Sequence, residues 1–310
     1  MNKPKDEPGL QTILSHCGRN LEASGGYVNV PPYEGSTILH DDMEDLFGRV
    51  DNHLYGDGTA QTYGTDGGPT HEAFYDAMNK LEGGAGTWAF STGLAGCTIP
   101  MMAFLKTGDH MLVTDSVYGP TRQFCEVLLK NFGVEAEFYE PTIGAGIEKV
   151  IRPNTRLIYM ESPGTHTFEM QDVPAIAAVA RKYNIVTMID NTYATPLNFQ
   201  PLKHGVDVVV HSATKYICGH SDVLMSTVTC NEKNWKQVRD VCKMTGQYAS
   251  AQSVYLGLRG LRTLKVRLDA VGVHTRKVVD WLLKREEVKK VIWPAYEKDP
   301  GYRIYKRDYS

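Results

Sequence analysis

Val208-Val-Val-His211-Ser-Ala-Thr-Lys215-Tyr-Ile-Cys-Gly219-His220-Ser-Asp222 is a β-branched run that delivers one lysine into a loop of hydroxyls and glycine. Upstream, a second apolar run, Ile185-Val-Thr-Met-Ile189, ends in Asp190-Asn-Thr-Tyr193. Short runs without polar–apolar alternation read as strands covered on both faces. The same texture recurs at Thr87-Trp-Ala-Phe90, His110-Met-Leu-Val-Thr114, Glu135 to Tyr139 and Arg156-Leu-Ile-Tyr-Met160, and it predicts strands there and over Val206–Val210. Asp222 to Thr229 is one more strand candidate. Helices are predicted between them. One runs from Leu94 to Leu105 and is stopped by Gly108; another runs from Arg122 to Asn131. A third begins at Asp172-Val-Pro174 and reaches about Tyr183, with Asp172 as N-cap and Pro174 near the first turn. Strands separated by helices predict an α/β fold with a mostly parallel sheet flanked by helices, whose ligands sit at the carboxyl ends of strands.

Asp190 and Lys215 both fall at such ends. An acid and a lysine placed there suit pyridoxal 5'-phosphate (PLP). The lysine forms a Schiff base with it, and the acid keeps the pyridine nitrogen protonated. Each residue has an ordinary alternative, since loop lysines are mostly solvated and a post-strand aspartate often caps a turn. Their pairing favours the cofactor. Ser91-Thr-Gly93-Leu-Ala-Gly96 lies between a strand and a helix, where backbone N–H groups would cradle a phosphate. A glycine turn is common at strand–helix junctions, so this signal is weak by itself. The hydroxyls of Ser212 and Thr214 would add donors. Tyr118, in Asp115-Ser-Val-Tyr-Gly-Pro120, follows another strand end and would stack on the pyridine face, or be a half-buried turn residue. Tyr63 sits in Gln61-Thr-Tyr-Gly-Thr-Asp-Gly-Gly-Pro-Thr-His71, a loop that pattern does not place. His211 and His220 flank Lys215 but read as structural, and the ten histidines show no metal-ligand spacing, so no metal is expected.

The bulk properties exclude several classes. Apolar residues make up 42% and charged residues 22% of the 310, which fits a soluble globular protein of one large domain or two. A net charge of −3 gives no electrostatic case for nucleic acid or an anionic membrane. No apolar run approaches bilayer length, and Met1-Asn-Lys-Pro-Lys-Asp-Glu-Pro8 is not a signal-peptide core. The six cysteines, at positions 17, 97, 125, 218, 230 and 242, contain no Cys-x-x-Cys pair, so a cytoplasmic setting with reduced thiols is expected.

Three regions are expected. Residues 1–60 read as an extended N-terminal arm, because Gly25-Gly-Tyr-Val-Asn-Val-Pro-Pro-Tyr-Glu-Gly35 cannot form a regular helix. Residues 61–256 form the cofactor-binding domain. Residues 257–310 start a C-terminal domain, with a long amphipathic helix from Gly257-Leu-Arg-Gly-Leu-Arg-Thr-Leu264 through Leu283 and a first strand at Val288-Lys-Lys-Val-Ile-Trp293. So short a segment cannot bury a core alone. The remainder of that domain is therefore expected to be absent from this chain, which is then a fragment, or is completed by a separate chain, or is encoded in truncated form.

Leu81-Glu-Gly-Gly-Ala-Gly86, Ser91-Thr-Gly93, Glu161-Ser-Pro-Gly164, Asp190-Asn-Thr192 and Ser212-Ala-Thr-Lys-Tyr216 with Gly219-His-Ser-Asp222 together resemble the trans-sulfuration, or Cys/Met metabolism, family of PLP enzymes. Within that family the chain looks most similar to the bacterial β-lyases that cleave cystathionine, on Gly26-Tyr-Val-Asn-Val30 with Gly35-Ser-Thr37, Gln171-Asp-Val-Pro-Ala-Ile176 and Gly257–Leu264. The resemblance implies PLP fold type I, the aspartate aminotransferase-like fold. It implies that Lys215 carries the Schiff base and moves protons, that Asp190 pairs with the pyridinium, and that Tyr118 stacks on the ring. Gly93, Leu94, Ser212 and Thr214 would bind phosphate. Tyr63 would reach the phosphate of a neighbouring subunit, so a homodimer is needed and a homotetramer is expected. The activity implied is carbon–sulfur β-elimination of a small thioether amino acid, turning cystathionine into homocysteine, pyruvate and ammonia in methionine biosynthesis, with alanine racemisation as a side activity. The alternatives are a γ-lyase or γ-synthase and a non-catalytic truncated member. Two departures stand out: Thr65 occupies a place where the family has a phosphate-binding arginine, and the family's arginine for the substrate carboxylate has no counterpart before Ser310.

Overall fold

The computed structural model describes residues 8–56 and 58–309. The first seven residues of the expected arm, and Ser310, lie outside the described residues. In chain order the helices and strands are α1 (Leu10–His16), α2 (Met43–Tyr55), α3 (Pro69–Glu82), β1 (Gly86–Phe90), α4 (Gly93–Thr98), β2 (His110–Thr114) and α5 (Gly119–Gln123). They continue with β3 (Glu135–Tyr139), β4 (Thr155–Glu161), α6 (Val173–Lys182), β5 (Val186–Asp190), α7 (Thr195–Asn198), β6 (Val208–His211) and β7 (Ser226–Cys230). The last are α8 (Glu232–Met244), α9 (Ala251–Leu261), α10 (Leu264–Leu282) and α11 (Tyr302–Asp308).

The strands form one seven-stranded sheet in the order β1-β7-β6-β5-β4-β2-β3. Only β7 runs against its neighbours β1 and β6; every other pairing is parallel. The reason is local. No helix separates β6 from β7, so the chain turns back and pairs antiparallel, whereas parallel neighbours need a crossover. The carboxyl ends of β1, β2, β4, β5 and β6 therefore share one edge.

Both faces of the sheet are buried, which explains the missing alternation in sequence. Met111, Val113, Leu157, Tyr159, Val208 and Val210 point into one apolar cluster with Phe90 and Met101. Their neighbours Leu112, Ile158, Met160 and Val209 point into another, against Ile176 and Val179 of α6. Helix α6 begins as its composition demands: the Asp172 carboxylate accepts the Ala175 N–H at 3.2 Å, and Pro174 stands in the first turn. A third cluster joins Phe74, Met78 and Leu81 of α3 to Leu258 of α9, and to Ala213, Ile217 and Cys218 beside the lysine. Burying each large side chain contributes about 1.5–3 kcal/mol. The start of β6 is fixed to β5 by Asp207, whose Oδ2 accepts from the Thr187 N–H at 2.9 Å and from its hydroxyl at 3.0 Å.

Several sequence expectations need correction. The region read as an extended arm carries α1 and α2, although Gly25–Gly35 is indeed not helical. Helix α2 has no fully buried residue, but the Asp42 carboxylate caps it by accepting the Asp45 N–H at 2.8 Å, and Glu44 and Asp45 stand in its first turn. The strand expected from Asp222 begins only at Ser226, because Met225 is tied back to Thr214. The long helix through Leu283 is two helices, broken after Leu261. Val288–Trp293 is not a strand; among the described residues no strand lies beside it to complete a ladder. Helix α11 was not anticipated. It lays Ile304 and Tyr305 on the α6 cluster, and Tyr309, just beyond it, donates its hydroxyl to the Ser162 carbonyl at 2.6 Å.

The end of β6 is seated by a buried pair: His211 Nε2 hydrogen-bonds Glu82 Oε1 on α3, both side chains being almost wholly inaccessible. The remaining Glu82 Oε2 and His211 Nδ1 find no partner, so the pair depends on this single contact. His211→Ala strands the buried acid and is expected to cost about 3–5 kcal/mol of stability. Urea unfolding followed by far-ultraviolet circular dichroism checks this; an unchanged midpoint would show that the pair does not hold β6 against α3.

Candidate active site

A cavity of about 1300 Å³ opens at the carboxyl ends of β1, β4, β5 and β6. Lys215 stands on its wall in a tight turn after β6. The Lys215 N–H donates to the Ser212 carbonyl at 3.0 Å, and the Lys215 carbonyl accepts the Gly219 N–H at 2.8 Å. Arg267 of α10 clamps this turn, donating to the carbonyls of Tyr216 at 2.6 Å, Ile217 at 3.3 Å and Gly260 at 2.8 Å. Position 219 must be glycine: φ is +79°, and a Cβ there would lie 2.2 Å from Arg267 Nη1. Lys215 itself is exposed and forms no ion pair among the described residues.

Asp190 ends β5 and is only 8% exposed. Its Oδ1 accepts the Thr192 N–H at 2.9 Å, and its Oδ2 lies 3.5 Å from the Cys97 thiol. Burial, and after it the charge of Asp190, pushes the Cys97 thiol well above its ordinary range, so it stays protonated as a weak donor. Asp190 forms no ion pair with any described cation. Its register partner on β4 is a second acid, Glu161. Burial and then the Asp190 charge push the Glu161 carboxyl up to about 8, against the hydrogen bonds it accepts.

Gly93, Leu94, Ser212 and Thr214 also line the cavity. A Cβ on Gly93 would fall 2.6 Å from the Ser212 hydroxyl oxygen, so glycine is what keeps this corner open. The Ser212 hydroxyl makes no hydrogen bond with any described residue, whereas the Thr214 hydroxyl is committed: it donates to the Met225 carbonyl at 3.1 Å and accepts the Met225 N–H at 2.9 Å. Thr214 thus braces the loop. Tyr118 reaches the cavity with its ring 44% exposed. Tyr63 does not line it. Its backbone N–H and that of Thr62 donate to Asp66 in the turn that also holds Thr65, and its side chain is 51% exposed. His220 is structural, its Nδ1 lying 2.7 Å from the Cys218 carbonyl oxygen.

Sequence reasoning quoted Glu161 without a role and passed over Cys97 and Arg267. Glu161 was findable as an acid at a strand end. Arg267 lies far along the chain on another helix, and no local pattern points to it. Three non-glycine residues on the cavity wall, His166, Phe168 and Ser221, have φ between 58° and 64°, a conformation that side chains rarely adopt outside constrained sites.

These residues fit PLP. A buried acid with no cationic partner suits a pyridinium N–H, the free hydroxyl and open glycine corner suit a phosphate, and an unpaired lysine suits covalent attachment.

The comparisons agree. The family described as Cys/Met metabolism PLP-dependent enzyme matches residues 11–310. A putative cystathionine β-lyase of Rhizobium johnstonii is 44% identical over 302 residues, covering 97% of this chain and 74% of that protein. Cystathionine β-lyase MetC of Escherichia coli is 38% identical over 303 residues, covering 97% and 76%. Lower matches include an L-alanine/L-glutamate racemase of Wolbachia pipientis at 35% identity and a cystathionine γ-lyase of Bacillus subtilis at 33%. The crystal structure of metB from Corynebacterium glutamicum superposes with a TM-score of 0.90 at 30% identity, covering 99% of this chain and 77% of that one. From the geometry of its cavity and from these likenesses together, the chain belongs to the Cys/Met metabolism family of PLP-dependent enzymes, as a lyase similar to the cystathionine β-lyases.

Proposed function

We propose that this protein is a carbon–sulfur β-lyase that takes cystathionine and water to homocysteine, pyruvate and ammonia. The observation that carries this reading is the pair Asp190 and Lys215, at the ends of adjacent strands, on one cavity and without ionic partners. When bound, PLP supplies an electron sink for the negative charge left at the substrate α-carbon. Lys215 Nζ would hold the cofactor covalently, then, once displaced by the substrate amine, take the α-proton and return it to the leaving sulfur. Asp190 would keep the proton on the pyridine nitrogen. The N–H groups of Gly93 and Leu94 and the Ser212 hydroxyl would hold the phosphate, with Thr214 bracing their loop. The Tyr118 ring would cover one face and exclude water from it.

β-Cleavage is favoured because relatives 38–44% identical to this chain are named as cystathionine β-lyase or putative cystathionine β-lyase. The γ-cleaving reading would use the same Lys215 and Asp190 but needs a second deprotonation, at the β-carbon, and gives a different product. Racemisation of alanine would be a side activity, from return of the α-proton to the opposite face. Tyr63 lies off the cavity and is half exposed, which supports a homodimer in which it serves a second copy's site. The six free, buried cysteines fit a reducing compartment such as the cytoplasm.

Lys215→Ala should lower turnover by about a thousandfold or more, from loss of the proton-transferring base. Product analysis with cystathionine should give pyruvate and homocysteine; 2-oxobutyrate and cysteine would instead make the enzyme a γ-lyase. Ser212→Ala should weaken PLP binding about tenfold, by loss of a hydrogen bond to a charged group. Spectrophotometric titration with PLP measures it, and unchanged affinity would remove Ser212 from the phosphate site.

A further inference from the structure

Glu161 is an expensive residue to keep where it stands. It is 8% exposed and sits beside Asp190 in register across two parallel strands, with no cation paired to either among the described residues. Both its oxygens are in use, on two different loops. Oε2 accepts the Tyr118 N–H at 2.8 Å, in the loop after β2. Oε1 accepts the Thr165 hydroxyl, in the loop after β4. The same loops meet again where the Thr165 N–H donates to the Ser116 carbonyl at 2.9 Å, and where a Cβ on Gly164 would lie 2.3 Å from the Ser116 hydroxyl oxygen.

The Tyr118 side chain, in contrast, has no anchor of its own. Its hydroxyl makes no hydrogen bond and its ring no aromatic contact with any described residue. What directs the ring is its main chain, whose carbonyl accepts the Arg122 N–H at 3.1 Å in the first turn of α5 and whose N–H is held at the cavity mouth by Glu161. An amide N–H needs only an oxygen to accept it. A carboxyl group buried next to another acid, and pushed up to about 8 by burial and by that neighbour, is a costly way to supply one.

We propose that Glu161 is a positioning residue: by gripping the Tyr118 amide it sets the Tyr118 ring over the place that the cofactor's ring takes. This rests on the PLP reading of the site. Glu161 acts through Tyr118, so its effect vanishes when the tyrosine ring is gone.

The test is a double-mutant cycle on the full chain, with PLP as the probe. The readouts are its dissociation constant and the visible circular dichroism of the bound chromophore. Tyr118→Ala should weaken PLP binding about tenfold, the worth of one aromatic stack. Glu161→Ala should weaken it by a similar factor and reduce the visible dichroism per bound cofactor. The double variant should bind within twofold of Tyr118→Ala. Glu161→Gln, which keeps an oxygen for the amide, should bind within threefold of the unmodified protein. Losses that multiply to about a hundredfold in the double variant, or a Glu161→Ala protein with ordinary affinity and dichroism, would overturn the proposal. Should Glu161→Ala not fold, Glu161→Asp, too short to span both loops, takes its place with the same expected and overturning results. An unmodified protein that forms no visible chromophore with PLP would overturn the cofactor reading and the role of Glu161 with it. Binding by the unmodified protein with additive losses overturns the latter alone.

Discussion

A carboxylate buried at the end of β5, with no cation to meet it, sets the terms for the rest of the site. An uncompensated buried charge costs several kcal/mol, and folded proteins ordinarily avoid it by pairing. Asp190 has only an amide and a weakly donating thiol, and its strand neighbour is another acid. The fold bears this cost because the sheet around Asp190 is buried on both faces and cannot yield locally. A pyridinium N–H entering the cavity would supply the missing positive charge.

The lysine side of the site is held in a different way. Lys215 is on a turn, not a strand, so its place depends on what restrains that turn. The restraint comes from α10, through one guanidinium that donates to two main-chain carbonyls of the turn and to one of α9, with Gly219 leaving the room for it. Hydrogen bonds from a charged donor contribute about 1.5–3 kcal/mol each. The Ala213, Ile217 and Cys218 side chains of the same turn are buried against α3 and α9. Lysine and acid are thus positioned by separate parts of the molecule: one by helix docking, the other by strand register.

That separation explains what was legible in the sequence. The strands could be read because two-faced burial forces continuous β-branched and apolar runs, and β2 and β3 end where composition places them. Asp190 and Lys215 could be read because each directly follows such a run. Arg267 could not, since its role exists only after α10 folds back. The commitment of Thr214 to Met225 was hidden for a similar reason: a threonine beside a candidate phosphate site looks like a ligand until its backbone partner is seen. The strand expected at Val288–Trp293 failed on a non-local condition, because an apolar segment becomes a strand only beside another. Helix α2 was readable and was missed: Asp42 caps it, Glu44 and Asp45 stand in its first turn, and its apolar residues lie to one side.

The choice between β- and γ-cleavage follows from the same division. The residues that would handle the pyridine nitrogen, the phosphate and the α-proton sit at a strand end, at the start of α4 or in the turn after β6, and both reactions would use them. Away from these residues the cavity wall carries Phe168, edge-on to Tyr193 at 5.5 Å, with Leu224 of the loop before β7 and Val271 of α10. His166 and Phe168 are held there in a left-handed backbone conformation, which is costly and fixes where their side chains can point. Relatives named for β-lyase, γ-lyase and racemase match this chain at 33–44% identity, so sequences this similar can serve different reactions.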